Sequence, residues 1–382
     1  MKRIKYITEA SFSFALIIAA NSMAEWHPFV PNAESGLPHL LMELISPLTY
    51  CLTWILCMFI GFFAPASAKG PVAFGALGLI YANMAIVLFR QCGFEIPIEA
   101  NVAGTIANNI GAPLLYLLWE QYFASEDDDQ CIADILVGRG LPVLLFALLG
   151  LISSSSQTMG LRAVILLVAA VALTRCYRSM DWSAPMYAER PLDHRRTYLN
   201  VMVLSWKSAL CIGSLAFLYT VLRSAFTSSN STLNGILTYA PLLGMLAASL
   251  AIMALWQRRS FSFNVIQVFR SLFPFLLCLF AAIPLFATAL PQITYGIAYG
   301  IFSLLVSIGM VQCCQTCKRD GVSPLFMFGF YFGIVNVIQL LGYGFSSILK
   351  TYAFFGQSHG FVIALSAMFV TSLVFYLVPV SY

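Results

Sequence analysis

The sequence predicts an all-α integral membrane protein, with about twelve transmembrane helices in two six-helix halves. Two observations carry this expectation. Of the 382 residues, 60% are hydrophobic and only 9% charged, whereas a soluble domain carries about 25% charged residues. Sixteen acidic and twenty basic side chains cannot coat a globule of this size in water. The second observation is length. Apolar runs of about 20 residues recur along the chain, which suits helices that cross a bilayer rather than barrel strands.

The spans are expected, in order, at 7–24, 38–63, 71–89, 100–124, 130–154, 158–176, 199–223, 233–256, 263–286, 291–316, 322–349 and 357–380. The start, "MKRIKYITEA", is basic but lacks a clean cleavage site, so it reads as a lead into the first span. The fourth span, "NVAGTIANNIGAPLLYLLWEQYF", is unusual for its Asn101, Asn108 and Asn109. These asparagines suit either interhelical hydrogen bonds or the polar lining of a central cavity. Gly104 and Gly111 allow close helix approach, and Trp119 reads as an interface anchor. After the sixth span comes the longest polar connection, "RCYRSMDWSAPMYAERPLDHRRTY". It divides the chain into an N-terminal half at 1–176, a basic linker at 177–198 and a C-terminal half at 199–382. Before the eleventh span lies "QTCKRDGVSPLFMFGF". Here Asp320 and Gly321 turn the chain, and Pro324 falls in the first turn of the next helix, where its missing N–H costs nothing.

Basic residues set the orientation. With the N-terminus inside, the inner loops and adjoining span ends hold Lys2, Arg3, Lys5, Lys69, Arg175, Arg178, Arg190, Arg195, Arg196, Arg258, Arg259, Lys318 and Arg319. The outer ones hold Arg90, Arg162, Arg223 and Lys350. This bias places both termini in the cytoplasm. One inner loop, "SEDDDQ", is acidic with no basic residue. It is either a solvated turn or a docking point for a basic loop or partner domain.

Arg139, Lys207 and Arg270 lie deeper, roughly 10–14 Å from the inner end of their spans at 1.5 Å per residue. No acidic residue lies between His194 and Arg319, so Lys207 and Arg270 need partners elsewhere: acids of the first half, backbone carbonyls, water or an anionic ligand. Glu120 is a better partner for Arg139 than Asp134, which is five residues away and off its face. The alternative to a structural Glu120–Arg139 pair is an anion-attracting cavity lined by Arg139, Lys207 and Arg270, which suits a carboxylate. The candidate ligand-binding residues are therefore Arg139, Lys207, Arg270, Asn108, Asn109 and Glu120. The ten cysteines mostly sit in apolar runs and read as small buried hydrophobes. "CCQTC" lacks the fourth ligand a zinc site needs. No catalytic triad spacing or phosphate loop appears, so neither an enzyme nor a cofactor is expected.

Two sets of six spans joined by a basic inner loop resemble the major facilitator layout, in which a substrate site lies between the halves. The stretch "GFFAPASAKGPVAFG" keeps the glycines and one cation of that fold's signature loop but has no Asp. Ser323, Pro324, Phe328, Gly329 and Gly342, with "WEQYF" at Trp119 to Phe123, resemble another group. These are bacterial membrane-bound regulators with a facilitator-like sensory region followed by a LuxR-type helix-turn-helix. That resemblance implies a sensory domain in the bacterial cytoplasmic membrane. Its partners would be the lipid bilayer and a small, carboxylate-like ligand. DNA would be reached only through a C-terminal helix-turn-helix that is absent here, with dimerisation as an output. The alternative expectation is a facilitator-type transporter of a small organic solute.

Overall fold

The structure is a computed structural model, and it describes residues 7–26, 37–64, 71–149, 155–187, 194–227, 234–257, 263–286, 291–351 and 359–378. Lys69 with the rest of 65–70, the N-terminal basic cluster and the centre of the interhalf linker lie outside what is described. The described residues form thirteen α-helices: α1 (Glu9–Trp26), α2 (Leu37–Phe63), α3 (Pro71–Gln91), α4 (Ile98–Ser125), α5 (Asp128–Gly140), α6 (Pro142–Leu149), α7 (Ser155–Arg178), α8 (His194–Thr227), α9 (Asn234–Gln257), α10 (Val265–Phe286), α11 (Pro291–Asp320), α12 (Pro324–Thr351) and α13 (His359–Leu377). Eleven of the expected spans correspond to one helix each.

The fifth span differs: it is two helices. Pro142 has no N–H to give to the preceding turn, and its ring crowds the carbonyl four residues back. The chain therefore ends α5 and restarts at α6, with the Leu141 N–H still reaching the Val137 carbonyl at 2.9 Å. Eight of the described helices are long and apolar enough to cross a membrane by themselves. α4 is less apolar because the three asparagines interrupt it.

The chain divides into two compact units. One comprises residues 1–199 with 313–333, the other 200–312 with 334–382. Within the first, α3 packs along α4, and α1 along α5 and α7. A Cβ at Gly104 would stand 2.8 Å from the Ile86 side chain and one at Gly111 2.5 Å from the Ala76 carbonyl oxygen, so both glycines serve the close approach expected of them. Trp119 is not an interface anchor. It is fully buried, with Tyr122 and Phe123 rings about it at 6.0 Å each. In the second unit, Gly244 of α9 faces Gly296 and Gly300 of α11, backbone against backbone. α10 packs along α13.

The segment 313–333 closes the first unit. It contains the end of α11, a turn at Gly321 (φ 63°) and the start of α12. A side chain would be strained at that φ, which is why glycine sits there. Gly61 of α2 lies against the Leu325 and Phe326 backbone. Gly329 lies against the backbone of Met58, which a Cβ would approach to 2.5 Å. Gly329→Ala should therefore destabilise the protein by about 1–3 kcal/mol through overpacking. Gly78→Ala, where nothing lies within 4 Å, should be neutral or stabilising by at most ~1 kcal/mol. Thermal unfolding of the two variants in detergent checks the contrast.

Candidate functional site

Polar groups gather along α4. The Asn109 side-chain amide donates to the Thr105 carbonyl at 2.8 Å, one turn back on its own helix. That bond leaves its side-chain oxygen for other donors. The side-chain oxygen of Asn108 is buried and has no hydrogen-bond partner. Toward the other end, Tyr177 donates to the Leu118 carbonyl at 2.7 Å and Tyr187 to the Gln121 carbonyl at 2.9 Å. These tyrosines hold the end of α4 in place beside Glu120.

Glu120 is 3% exposed and Arg139 9%. The guanidinium lies within electrostatic reach of the carboxylate, as the sequence spacing suggested. Glu120 also lies near Cys57 of α2 and Cys313 of α11. Its Oε2 accepts no hydrogen bond. Asp134 does not serve Arg139 but accepts from the Thr8 hydroxyl at 2.7 Å.

The other two deep cations lie in the second unit. Lys207 is half-buried on α8. Arg270 of α10 donates through Nη2 to the Val378 carbonyl at 2.8 Å and through Nε to the same oxygen at 3.2 Å. Its guanidinium lies 4.7 Å from the centroid of the Phe375 ring. Arg270 therefore closes the C-terminus of α13, where carbonyls lack helical donors and the helix dipole favours a cation. Backbone carbonyls, one of the partners the sequence left open, take these donors.

The acidic loop between α4 and α5 receives a basic one. Lys318 Nζ donates to Asp128 Oδ1 at 2.7 Å and to the Glu126 carbonyl. Cys314 makes a thiol contact with Cys131 of α5. On the other flank, the Ser323 N–H donates to the Tyr198 hydroxyl at 3.0 Å. Tyr198 packs on Phe326 with centroids at 4.4 Å and on His194 at 4.2 Å, while His194 Nε2 is 2.8 Å from the Phe62 carbonyl. Beneath Lys318, the Glu126 carboxyl is held above the usual carboxylate range, first by burial and then by Asp134 beside it. The sequence held the acidic loop as either a solvated turn or a docking point, and it is a docking point within this unit. Nothing local signals this, because the two loops lie 190 residues apart.

No known protein-family profile matches the sequence, and no curated protein does. Solved structures do match along the whole chain. A bacterial homologue of the iron transporter ferroportin, in an outward-facing state, is 12% identical with a TM-score of 0.69, over 98% of each chain. The major facilitator transporter FucP, in the outward conformation, is 10% identical with a TM-score of 0.63, over 98% of this chain and 100% of that one. The human organic anion transporter MFSD10 is 14% identical with a TM-score of 0.63, over 97% and 98%. The chain thus has the major facilitator fold. The regulator resemblance finds no support in these comparisons.

Arg139→Met removes the cation beside buried Glu120 and should destabilise the protein, by about 3–5 kcal/mol at most, because the carboxyl can take up a proton instead of standing as a bare charge. The double variant Glu120→Met/Arg139→Met should recover much of that loss. Denaturant unfolding in detergent, arranged as a double-mutant cycle, measures the coupling.

Proposed function

We propose that the chain is a facilitator-type carrier of a small organic solute, embedded in a membrane with both termini in the cytoplasm. The observation that carries this reading is the fold match to transporters over nearly all of both chains. The excess of Lys and Arg in alternate loops supports the orientation. The candidate ligand contacts are Asn108 and Asn109, with Glu120, Arg139 and Lys207 as the charged groups. Asn108 is the strongest of them, because its buried oxygen lacks a donor and a buried acceptor without a partner costs about 1–3 kcal/mol. A solute hydroxyl or amide would satisfy it. Arg270 has the weakest case, since α13 carbonyls engage its donors.

The sensory-domain reading rests on Ser323, Pro324, Phe328, Gly329 and Gly342, with Trp119 to Phe123; the first four illustrate why it is not needed. Each of the four has a packing role that needs no signalling. The Ser323 N–H bonds Tyr198, Pro324 starts α12, Phe328 is fully buried, and Gly329 admits the backbone of Met58.

Reconstitution in liposomes separates the two readings. Counterflow of a radiolabelled solute from a panel of organic carboxylates, sugars and amines is the expected result. Asn108→Ala should slow that counterflow up to about tenfold, the loss of one hydrogen bond worth at most about 1.4 kcal/mol. Saturable binding without flux across the whole panel would favour a sensor.

A further inference from the structure

Where α4 meets α5, two carboxyls lie side by side. Glu126 caps the end of α4, and its carboxyl neighbours that of Asp134 in α5. Asp134 is fully buried. Its Oδ1 takes the Thr8 hydroxyl at 2.7 Å, whereas its Oδ2 and Glu126 Oε2 are both buried with no donor. An ionised carboxylate only accepts hydrogen bonds. Two acceptors side by side, away from water, repel unless one of them carries a hydrogen.

Among the described residues, each cation near the pair is engaged by another group. From α1 come Thr8 and Ser11, and Glu9 is paired with Arg175 of α7 at 3.6 Å. From α4 comes the Tyr122 hydroxyl, in contact with Glu126. α5 adds Gln130 and Cys131, and α7 adds Cys176. Lys318 of the 313–333 hairpin is engaged by Asp128 and by the Glu126 backbone, and Arg139 acts on Glu120.

We propose that Glu126 and Asp134 form a proton-binding site, one proton shared between two carboxyls, and that this proton keeps the 313–333 hairpin in its seat. The hairpin is anchored to the same residue, through Lys318 and the Glu126 carbonyl, and beside it through Cys314 and Cys131. When the proton leaves, two adjacent buried charges remain. Water relieves them only if the hairpin lifts from the α4–α5 turn. The seated state raises the affinity of the Glu126 carboxyl for a proton. Seating is therefore strongest below the ordinary carboxylate range and weakens as pH rises toward the raised value. This inference is independent of which solute, if any, is carried.

Amide hydrogen exchange of the full chain in lipid nanodiscs reads the seat directly. The Ser323 N–H and its neighbours through Met327 should lose protection, corrected for intrinsic exchange, by up to about tenfold per pH unit between about pH 6 and about pH 9. Protection in α3 should hold. Glu126→Gln supplies a permanent amide donor to Asp134, so its hairpin protection should be high and flat with pH. Asp134→Asn should behave the same way and stands in if the first variant fails to fold. Infrared difference spectra near neutral pH should show one protonated carboxyl that either variant removes. Hairpin protection in the wild type that is flat with pH, a variant that folds and keeps the wild-type pH dependence, or absence of the carboxyl band would each overturn the proposal.

Discussion

Hydrocarbon offers no hydrogen bonds to a polypeptide, and most features of this protein follow from that. Every backbone N–H and C=O within the bilayer must find a partner inside the protein, so the spanning segments are helices. The places where helical pairing fails are then the places where side chains cluster. Arg270 supplies donors at the end of α13. At Pro142, where the ladder is interrupted, the chain breaks into two helices instead of one.

The same constraint explains why polar side chains inside the first unit form compact groups. Glu120 lies near Arg139, Asp134 lies beside Glu126 and Thr8, and Lys318 meets Asp128. Each grouping limits the cost of removing charge or hydrogen-bonding capacity from water. The Lys318–Asp128 pair is the most exposed of the three, with side-chain exposures of 24% and 60%, so it contributes little to stability by itself. On its other flank the hairpin also rests on the buried aromatic packing around Tyr198 and on the close glycine contacts with α2.

The helices were largely legible because hydropathy and length report directly on the solvent around a span. The turn at Gly321 and the helix start at Pro324 were legible for the same local reason. The α5–α6 break was available in Pro142 but was hidden by the apolar run on either side. Long-range matches were not legible. "SEDDDQ" and "CKRD" suggested a docking point and a basic loop, but no sequence rule joins Asp128 to Lys318. Trp119 shows a different limit: an aromatic near a span end looks alike whether it faces headgroups or fills a core. For Arg270 the class of partner could be anticipated, but not the particular helix end that supplies it.

The glycine contact of Gly244 with Gly296 and Gly300 has a mechanical consequence. Where side chains meet, a helix pair can yield by small rotamer changes and remain in contact. Here main chain rests on main chain, so there is no such give. A small separation loses the whole contact at once, and a small approach meets hard repulsion. The crossing of α9 and α11 should therefore behave as a riveted joint, carrying any movement of one helix to the other undiminished.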